Sequence, residues 1–266
     1  MPEVVQFLWV GGSLSKIESL CLKSFLDHGH EVHLYIYDHV PNVPDGVRIL
    51  EGCTILSADK IFTTPGVSKA PSYASFADRF RLHLLAQKGG WWFDMDFVCL
   101  KKISAPRELR FASTWEREWG ECPVNSAIWS PVGSRHMERL VELCEDRISS
   151  GKNTFGELGP FLLQPYIKEN SLEKNVAPWW EFCPYPWRLM KLMAPRTGLD
   201  YAKDRVRLVK HLIWEQYDPH FKAAYIRRGT LALHLHNEIW KNSNLGKNDT
   251  YFWCSPIERL KRRHGI

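Results

Sequence analysis

At 266 residues, 44% hydrophobic and 24% charged, the chain has the composition of a folded domain that can bury a sizeable core, which excludes a disordered or fibrous protein. The net charge of +5 is modest and its only dense Lys/Arg run is the terminal ERLKRRHGI, so nucleic acid is not the expected partner. Seven scattered cysteines without a CxxC pair speak against a zinc or disulfide framework, and the absence of a leader-like start or a long apolar run sets the expectation of a cytoplasmic protein with free thiols.

Val4–Val10 is an apolar, β-branched run ending at Gly11-Gly12 and reads as a buried first strand. Ser15 and Glu18 form a capping box for a helix running to Gly29, and Glu31–Tyr37 reads as a second strand. This β-α-β opening predicts an α/β fold with a mixed, mainly parallel sheet flanked by helices. A Pro/Gly-rich stretch passes to a short strand near Thr54–Leu56, and Ser75 with Asp78 opens a helix stopped by Gly89-Gly90. The chain then enters Trp91–Phe93, the acidic pair Asp94-Met95-Asp96, and an apolar run to Leu100.

Ser134 caps a packing helix closed by Gly151. Pro178–Pro195, rich in Pro and Trp, reads as an irregular functional loop or lid, with Trp179, Trp180 and Trp187 free to stack on sugar faces or to pack a lid. Thr230–His236 alternates as a late strand. Ser255-Pro256-x-Glu258 starts a terminal helix with Ile257 and Leu260 as apolar positions among Arg259, Lys261, Arg262 and Arg263. That helix would suit peripheral docking on an anionic leaflet, against the alternative of a solvated tail.

The chemistry is expected at Asp94 and Asp96. Carboxylates two apart on an extended backbone point the same way and can share one hard cation, which prefers oxygen ligands and can bridge a diphosphate. A short acidic pair alone is also common on surface turns. Three readings stay open on this basis: a sugar transferase, a metal-dependent phosphodiesterase or nuclease, and a non-catalytic carbohydrate-binding protein. The second usually needs more clustered acids, and the third has no need of the acidic pair beside a Gly-Gly turn.

The stretch ASFADRFRLHLLAQKGGWWFDMDFVCL resembles the donor-binding core of the DxD glycosyltransferases related to family 32, the α-1,4-galactosyltransferases and the large clostridial glucosylating toxins. Asp78 precedes Arg81 by three, a Gly-Gly pair follows, and three apolar residues lead to the DxD. Ala77 departs from the usual Ser. FLWVGGSLS is similar to the first strand and loop of these enzymes, and ALHLHNEIW to a late motif around a His and an Asn.

The resemblance implies a single GT-A domain, with a donor half over residues 1–120 and an acceptor region over 121–266. It implies a metal, Mn²⁺ or Mg²⁺, held by Asp94, Asp96 and His234. The nucleoside diphosphate sugar donor, a UDP-sugar in the first instance, would meet Trp9, Val10, Gly11, Asp78, Arg81, Gly90, Asp94, His236 and Asn237. Asn125 would face the transferred sugar beside Asp94 and Asp96 in the catalytic set, and Gly159-Pro160 would lie beside the acceptor, although a helix N-terminus also explains that pair. The acceptor would be a glycan or a lipid-linked glycan of surface polysaccharide assembly, with retention of configuration. Glu157, Glu181 and Glu238 are undistinguished as nucleophiles.

Overall fold

The computed structural model describes residues 3–66, 71–218, 225–243 and 245–266, and of residues 239, 241 and 242 the backbone. Strand β1 (Val4–Trp9), helix α1 (Lys16–Asp27) and strand β2 (Glu31–Ile36) form the expected opening. The Ser15–Glu18 capping box is present, and Gly29 turns out of the helix at φ 79°. The third strand, β3, lies earlier than expected, at Arg48–Glu51, and residues 52–54 are a 3₁₀ turn. A two-residue pair, β4 (Thr64–Pro65) and β5 (Pro71–Ser72), precedes α2 (Ala74–Lys88). Ser75 does not cap α2, since it already lies inside the helix and shares a hydrogen bond with Thr64 at 2.9 Å.

After α2 come β6 (Gly90–Phe93) and β7 (Phe97–Cys99), then a long hairpin of β8 (Arg110–Glu116) and β9 (Gly120–Ser130). Helices α3 (Arg135–Ser149), capped by Ser134, and α4 (Pro160–Glu169) follow. The Pro/Trp segment is more regular than expected: it holds the one-turn helix α5 (Trp179–Phe182) and a 3₁₀ stretch, Trp187–Met193. Helix α6 (Gly198–Tyr217), strand β10 (Ala232–His234), α7 (Asn237–Asn242) and α8 (Pro256–Arg263) complete the chain.

The main sheet has the order β3-β2-β1-β6-β9-β8. β3, β2, β1 and β6 run parallel, while β9 is antiparallel to β6 and to β8. A small antiparallel ribbon joins β7 to β10. Alternation along the strands feeds two cores. Val5, Phe7, Trp91 and Phe93 face α1 residues such as Leu22 and Phe25. Leu8 and Trp92 face Phe80 of α2 and Met137 of α3. Much of the Trp content is therefore core: Trp91, Trp92, Trp179 and Trp240 are all buried. Trp179 carries the stacked Arg227 guanidinium, and half-buried Trp180 packs tightly on Gly229, as in a packed lid.

Two further expectations are corrected. Helix α8 forms with its Ser255 cap, but Ile257 and Leu260 are buried in a third core cluster, and the buried Lys261 donates to Glu258 and the Asp249 carbonyl. Its apolar positions face protein, so neither a lipid-seated helix nor a frayed tail describes it. Among the described residues no helix is long and apolar enough to cross a membrane.

Candidate metal and donor site

The strand order changes direction between β1, whose neighbours continue to β2 and β3, and β6, whose neighbours continue to β9 and β8. Such a switch point opens a crevice at the carboxyl ends of the parallel strands, where open α/β sheets bind ligands. Trp9 ends β1 and Asp94 follows β6, so both stand at that crevice. The Asp94 amide donates to the Ser126 carbonyl at 2.9 Å, and the chain turns there, with the Phe97 amide on the Asp94 carbonyl at 3.3 Å. Asp94 and Asp96 therefore converge through a turn between β6 and β7, and not along an extended strand as expected.

His234, at the end of β10, comes up beside them because its strand pairs with β7 in the register His234↔Phe97. Its ring stacks on Phe97 at 4.4 Å and lies 4.1 Å from the ring of His236. One ligand atom from each of Asp94, Asp96 and His234 lies within 4.8 Å of the other two. Metal–oxygen distances of about 2.0–2.6 Å bridge ligand atoms that far apart. The fit is tested by Asp96, whose Oδ1 is buried without a hydrogen-bond partner among the described residues and lies 3.2 Å from His234 Nε2. An unpartnered carboxylate oxygen facing an imidazole nitrogen, with a second carboxylate alongside, suits a divalent cation. These three residues are a candidate metal site.

Each ligand is held from behind. Arg81, almost wholly buried on α2, places Nη1 3.1 Å from Asp94 Oδ1 and Nη2 2.9 Å from Asp78 Oδ1. Arg81 also donates to the Asn125 carbonyl, and Asn125 Nδ2 donates to Asp78 Oδ1 at 2.8 Å. Trp92 Nε1 donates to Asp94 Oδ1 at 2.9 Å, and the Arg81 guanidinium stacks over the Trp92 ring. Asp96 Oδ2 accepts from the Asn237 amide at 2.6 Å. His234 Nδ1 faces Cys183 Sγ at 3.8 Å.

Burial pushes the Asp94 carboxyl up to about 6 against the pull of Arg81, with the charge of Asp96 adding to the push. Burial acts on Asp96 too, but His234 and the Asn237 amide overcome it and hold that carboxyl well below the usual range. Burial lowers His234 and the Asp96 charge outweighs it, so the imidazole is held well above its ordinary value. Desolvation also raises Asp78, against Arg81 and the Asn125 hydrogen bond. Desolvation, with the neighbouring His234 adding to it, pushes half-buried His236 down to about 3.

The other expected site residues divide. Asp78, Arg81 and Asn125 are all at the site, but their charged and amide groups are committed to one another and to Asp94. Gly159 belongs with them: a Cβ there would lie 2.6 Å from Asp78 Oδ2 and 2.9 Å from Asn125 Nδ2, so the α4 N-terminus approaches only because it is glycine. Trp9 Nε1 donates to the Gly12 carbonyl at 2.8 Å, and Gly11 turns at φ 142°, which fixes the β1 loop at the crevice beside half-buried Val10. His236 stands in the left-handed region at φ 50°, its Nε2 3.2 Å from the Tyr185 carbonyl. The Asn237 backbone amide holds Asp96, and its side-chain Oδ1 is buried without a hydrogen-bond partner among the described residues.

Gly90 is the exception. It begins β6, at the strand end opposite Asp94, about 13 Å away at 3.3 Å per residue. A Cβ on Gly90 would crowd Gln6, and one on Gly89 would meet the backbone at Ser130–Val132 at 2.7–3.0 Å. The pair serves close backbone packing at the far end of β6. The residues missed in the sequence are Phe97, Cys183 and Tyr185, which shape the site by contact alone and carry no motif, while Trp92 stands in the motif only as an apolar position and its hydrogen bond to Asp94 gives no local signal. Because Asn125 and His234 lie beyond residue 120, the site is also not confined to the expected donor half.

Residues 21–117 match the family described as a glycosyltransferase sugar-binding region containing a DXD motif, which spans α1 through β8 and includes Asp78, Arg81, Asp94 and Asp96. No curated protein matches the chain. Among solved structures, the PaToxG glycosyltransferase is similar at 13% identity and a TM-score of 0.48, over 65% of this chain and 72% of that one. The catalytic domain of alpha-toxin from Clostridium novyi is similar at 9% identity and a TM-score of 0.37, over 98% and 76% respectively. The sheet and the switch-point site are consistent with a GT-A-like α/β fold, and the matched region supports a glycosyltransferase with a DXD motif. The likeness does not single out the family 32 or α-1,4-galactosyltransferase branch.

Proposed function

We propose that the protein transfers a hexose from a nucleoside diphosphate sugar, a UDP-sugar in the first instance, to a hydroxyl of a glycan acceptor with retention of configuration. The observation that carries this reading is the convergence of Asp94, Asp96 and His234 at the switch-point crevice. A bound Mn²⁺ or Mg²⁺ would supply electrostatic stabilisation of the departing diphosphate. Asp94, Asp96 and His234 would hold the ion, with the His234 proton on Nδ1 toward Cys183 so that Nε2 is free to ligate. Arg81 and Trp92 both contact Asp94 Oδ1, which leaves Oδ2 to the ligand side. Asp78 and Asn125 act by keeping Arg81 in place, and Trp9, Val10 and Gly11 would border the nucleotide.

A front-face path, in which the leaving phosphate takes the acceptor proton, needs positioning and electrostatics and no enzyme nucleophile. Two of the three carboxylates considered for that role are engaged elsewhere: Glu181 is forked onto Arg110, and Glu157 pairs with Arg147. We also assign the chain from about residue 121 to acceptor binding and a lipid-linked surface glycan as acceptor, both from the family resemblance, and action at the cytoplasmic face, from the sequence pattern. Against a two-metal phosphodiesterase, Asp94, Asp96 and His234 are the one such cluster found among the described residues.

A thermal-shift panel of UDP, GDP and CMP, each with and without Mn²⁺, tests the reading, because a ligand that binds only the native state raises its melting point. A shift that requires UDP and Mn²⁺ together, followed by hydrolysis of a UDP-sugar, is the expected result. A shift with Mn²⁺ and a phosphodiester in place of any nucleoside diphosphate would favour the phosphodiesterase. Sugar binding with no response to nucleotide or metal would favour a binding module.

A further inference from the structure

Among the described residues, helix α6 is the one long helix that turns most of its apolar side chains outward. Of its 20 residues only Leu208 is buried. Leu199, Val206, Val209, Ile213 and Tyr217 are each 51–79% exposed. They recur at steps of seven, three, four and four, which 3.6 residues per turn gathers into one stripe about 27 Å long. Exposed Lys203, Arg207 and Lys210 follow one border of that stripe, with Trp214, 62% exposed, on the same side.

The acidic residues of α6 are placed away from the stripe. Asp200 is spent on the Thr197 cap, Glu215 pairs with Arg227 on the inner side, and Asp204 is half-buried. On the other border, Arg205 lines a cavity of about 340 Å³ together with Arg259 and Arg263 of α8 and the Tyr185 and Tyr201 rings. Among the described residues, Nε and Nη2 of Arg205 are buried there without a hydrogen-bond partner. An apolar stripe thus runs between two basic borders, one of them holding guanidinium donors that lack an acceptor.

We propose that α6 is an in-plane membrane anchor, seated in the interface of an anionic phospholipid bilayer with its apolar stripe among the acyl chains and its basic borders on lipid phosphates. Three features favour a bilayer over a second copy of the chain. The exposed face carries positive charge only, so two such faces would repel. Trp214 and Tyr217 occupy the same end of the helix, and their apolar rings with polar tips suit the headgroup level. The cavity beside Arg205 offers donors to an anionic headgroup. The proposal replaces docking through the apolar face of α8, which is buried, and holds whichever sugar or acceptor the enzyme uses.

Co-sedimentation of the full chain with vesicles of phosphatidylcholine, alone or mixed with phosphatidylglycerol, tests it. The chain should pellet with the anionic vesicles, stay in solution with the neutral ones, and be released by salt. Reversing the basic border with Lys203→Glu, Arg207→Glu and Lys210→Glu together should weaken partitioning on the order of a hundredfold. Val206→Asp with Ile213→Asp should abolish it, and because these positions are exposed the melting temperature should hold. Arg262→Glu, on the exposed side of α8, should leave binding unchanged. Equal recovery in the supernatant with both vesicles would overturn the proposal and leave the face to an acidic protein partner. A lipid-free dimer that Val206→Asp/Ile213→Asp dissociates would overturn it in favour of a second copy. Loss of binding in Arg262→Glu but not in the α6 variants would overturn it in favour of α8.

Discussion

On the α2–β9 flank of the site, Arg81 spans Asp78 and Asp94, Asn125 ties Asp78 to β9, and Trp92 adds a donor to Asp94. On the β7–β10 flank, Asp96 has one firm hydrogen bond, from the Asn237 amide, and an inner oxygen whose closest company is an imidazole. The first flank is internally saturated around a permanent cation. The second is held by a titratable group and an amide, and keeps carboxylate capacity in reserve. A bracket and a ligand shelf are thus built from the two halves of one short motif, and they should fail differently when altered.

The largest effect is expected on the shelf. Asp96→Ala removes the better-ionised candidate ligand, and transfer should fall on the order of a thousandfold. The Mn²⁺-dependent rise in melting temperature should vanish with it, while far-UV circular dichroism stays that of the parent. Full activity in Asp96→Ala, or activity undiminished by excess EDTA, would remove the metal assignment.

On the bracket, the expected damage is to stability. Arg81→Ala strands the buried Asp78 and the half-buried Asp94 without their counter-charge, and breaking the buried Arg81–Asp78 pair this way costs about 3–5 kcal/mol by chemical denaturation. Asp78→Ala should be milder, and the double variant should lose clearly less than the sum, since both changes break one network. Strict additivity would mean that Asp78 and Arg81 act separately, contrary to the shared contacts.

The contrast between the flanks also bears on what the sequence made legible. The β-α-β opening, the Ser15–Glu18 box, the Ser134 cap and β6 running into the DxD were readable because local chemistry decides them. Apolar runs, a side-chain cap and a Gly-Gly stop act within a few residues. Helix α6 was missed although Thr197 and Asp200 form a capping box, because its apolar positions face outward and a stripe without a core partner does not advertise a helix by burial. The β8–β9 hairpin was missed as well, since its turn, Arg117–Trp119, lacks the Asn-Gly or Asp-Gly signal. At the site, Asp94, Asp96, Asp78, Arg81 and His234 were reachable through resemblance. Cys183 and Tyr185 were not, since they reach His234 and His236 only through a long-range register that no local pattern encodes. Gly90 was drawn in by its place beside the DxD in sequence, and the length of β6 puts it at the wrong end.

The titration of the shelf separates it from the bracket without any mutation. A cation must displace the proton on His234, which the Asp96 charge holds on above the ordinary histidine range, so Mn²⁺ affinity should fall about tenfold per pH unit between pH 7 and 6. Asp96 stays ionised throughout. Below about 6 the raised Asp94 carboxyl also takes a proton that the cation must displace, and the slope should steepen toward about a hundredfold per unit. Calorimetric titration with Mn²⁺ across pH 5 to 7.5 reads both slopes. A single slope throughout would show that Asp94 is not a ligand and belongs wholly to the bracket.

The smallest effect is expected behind His234. Its Nδ1 faces only the Cys183 sulfur at 3.8 Å, a weak and polarisable acceptor, where metal-ligating imidazoles more often lean on a carboxylate or carbonyl. Cys183→Ala removes that acceptor but leaves the ring clamped by its stack on Phe97 at 4.4 Å, so the imidazole keeps its place and loses only part of its basicity. Mn²⁺ affinity should drop by about tenfold or less, the low end of the range for outer partners of metal ligands, with the nucleotide alone binding as before. The Phe97 stack predicts the complementary result: Phe97→Leu should cost more than Cys183→Ala in the same titration, because it frees the ring to rotate. The reverse order would mean that the sulfur, and not the aromatic clamp, sets the geometry of the third ligand.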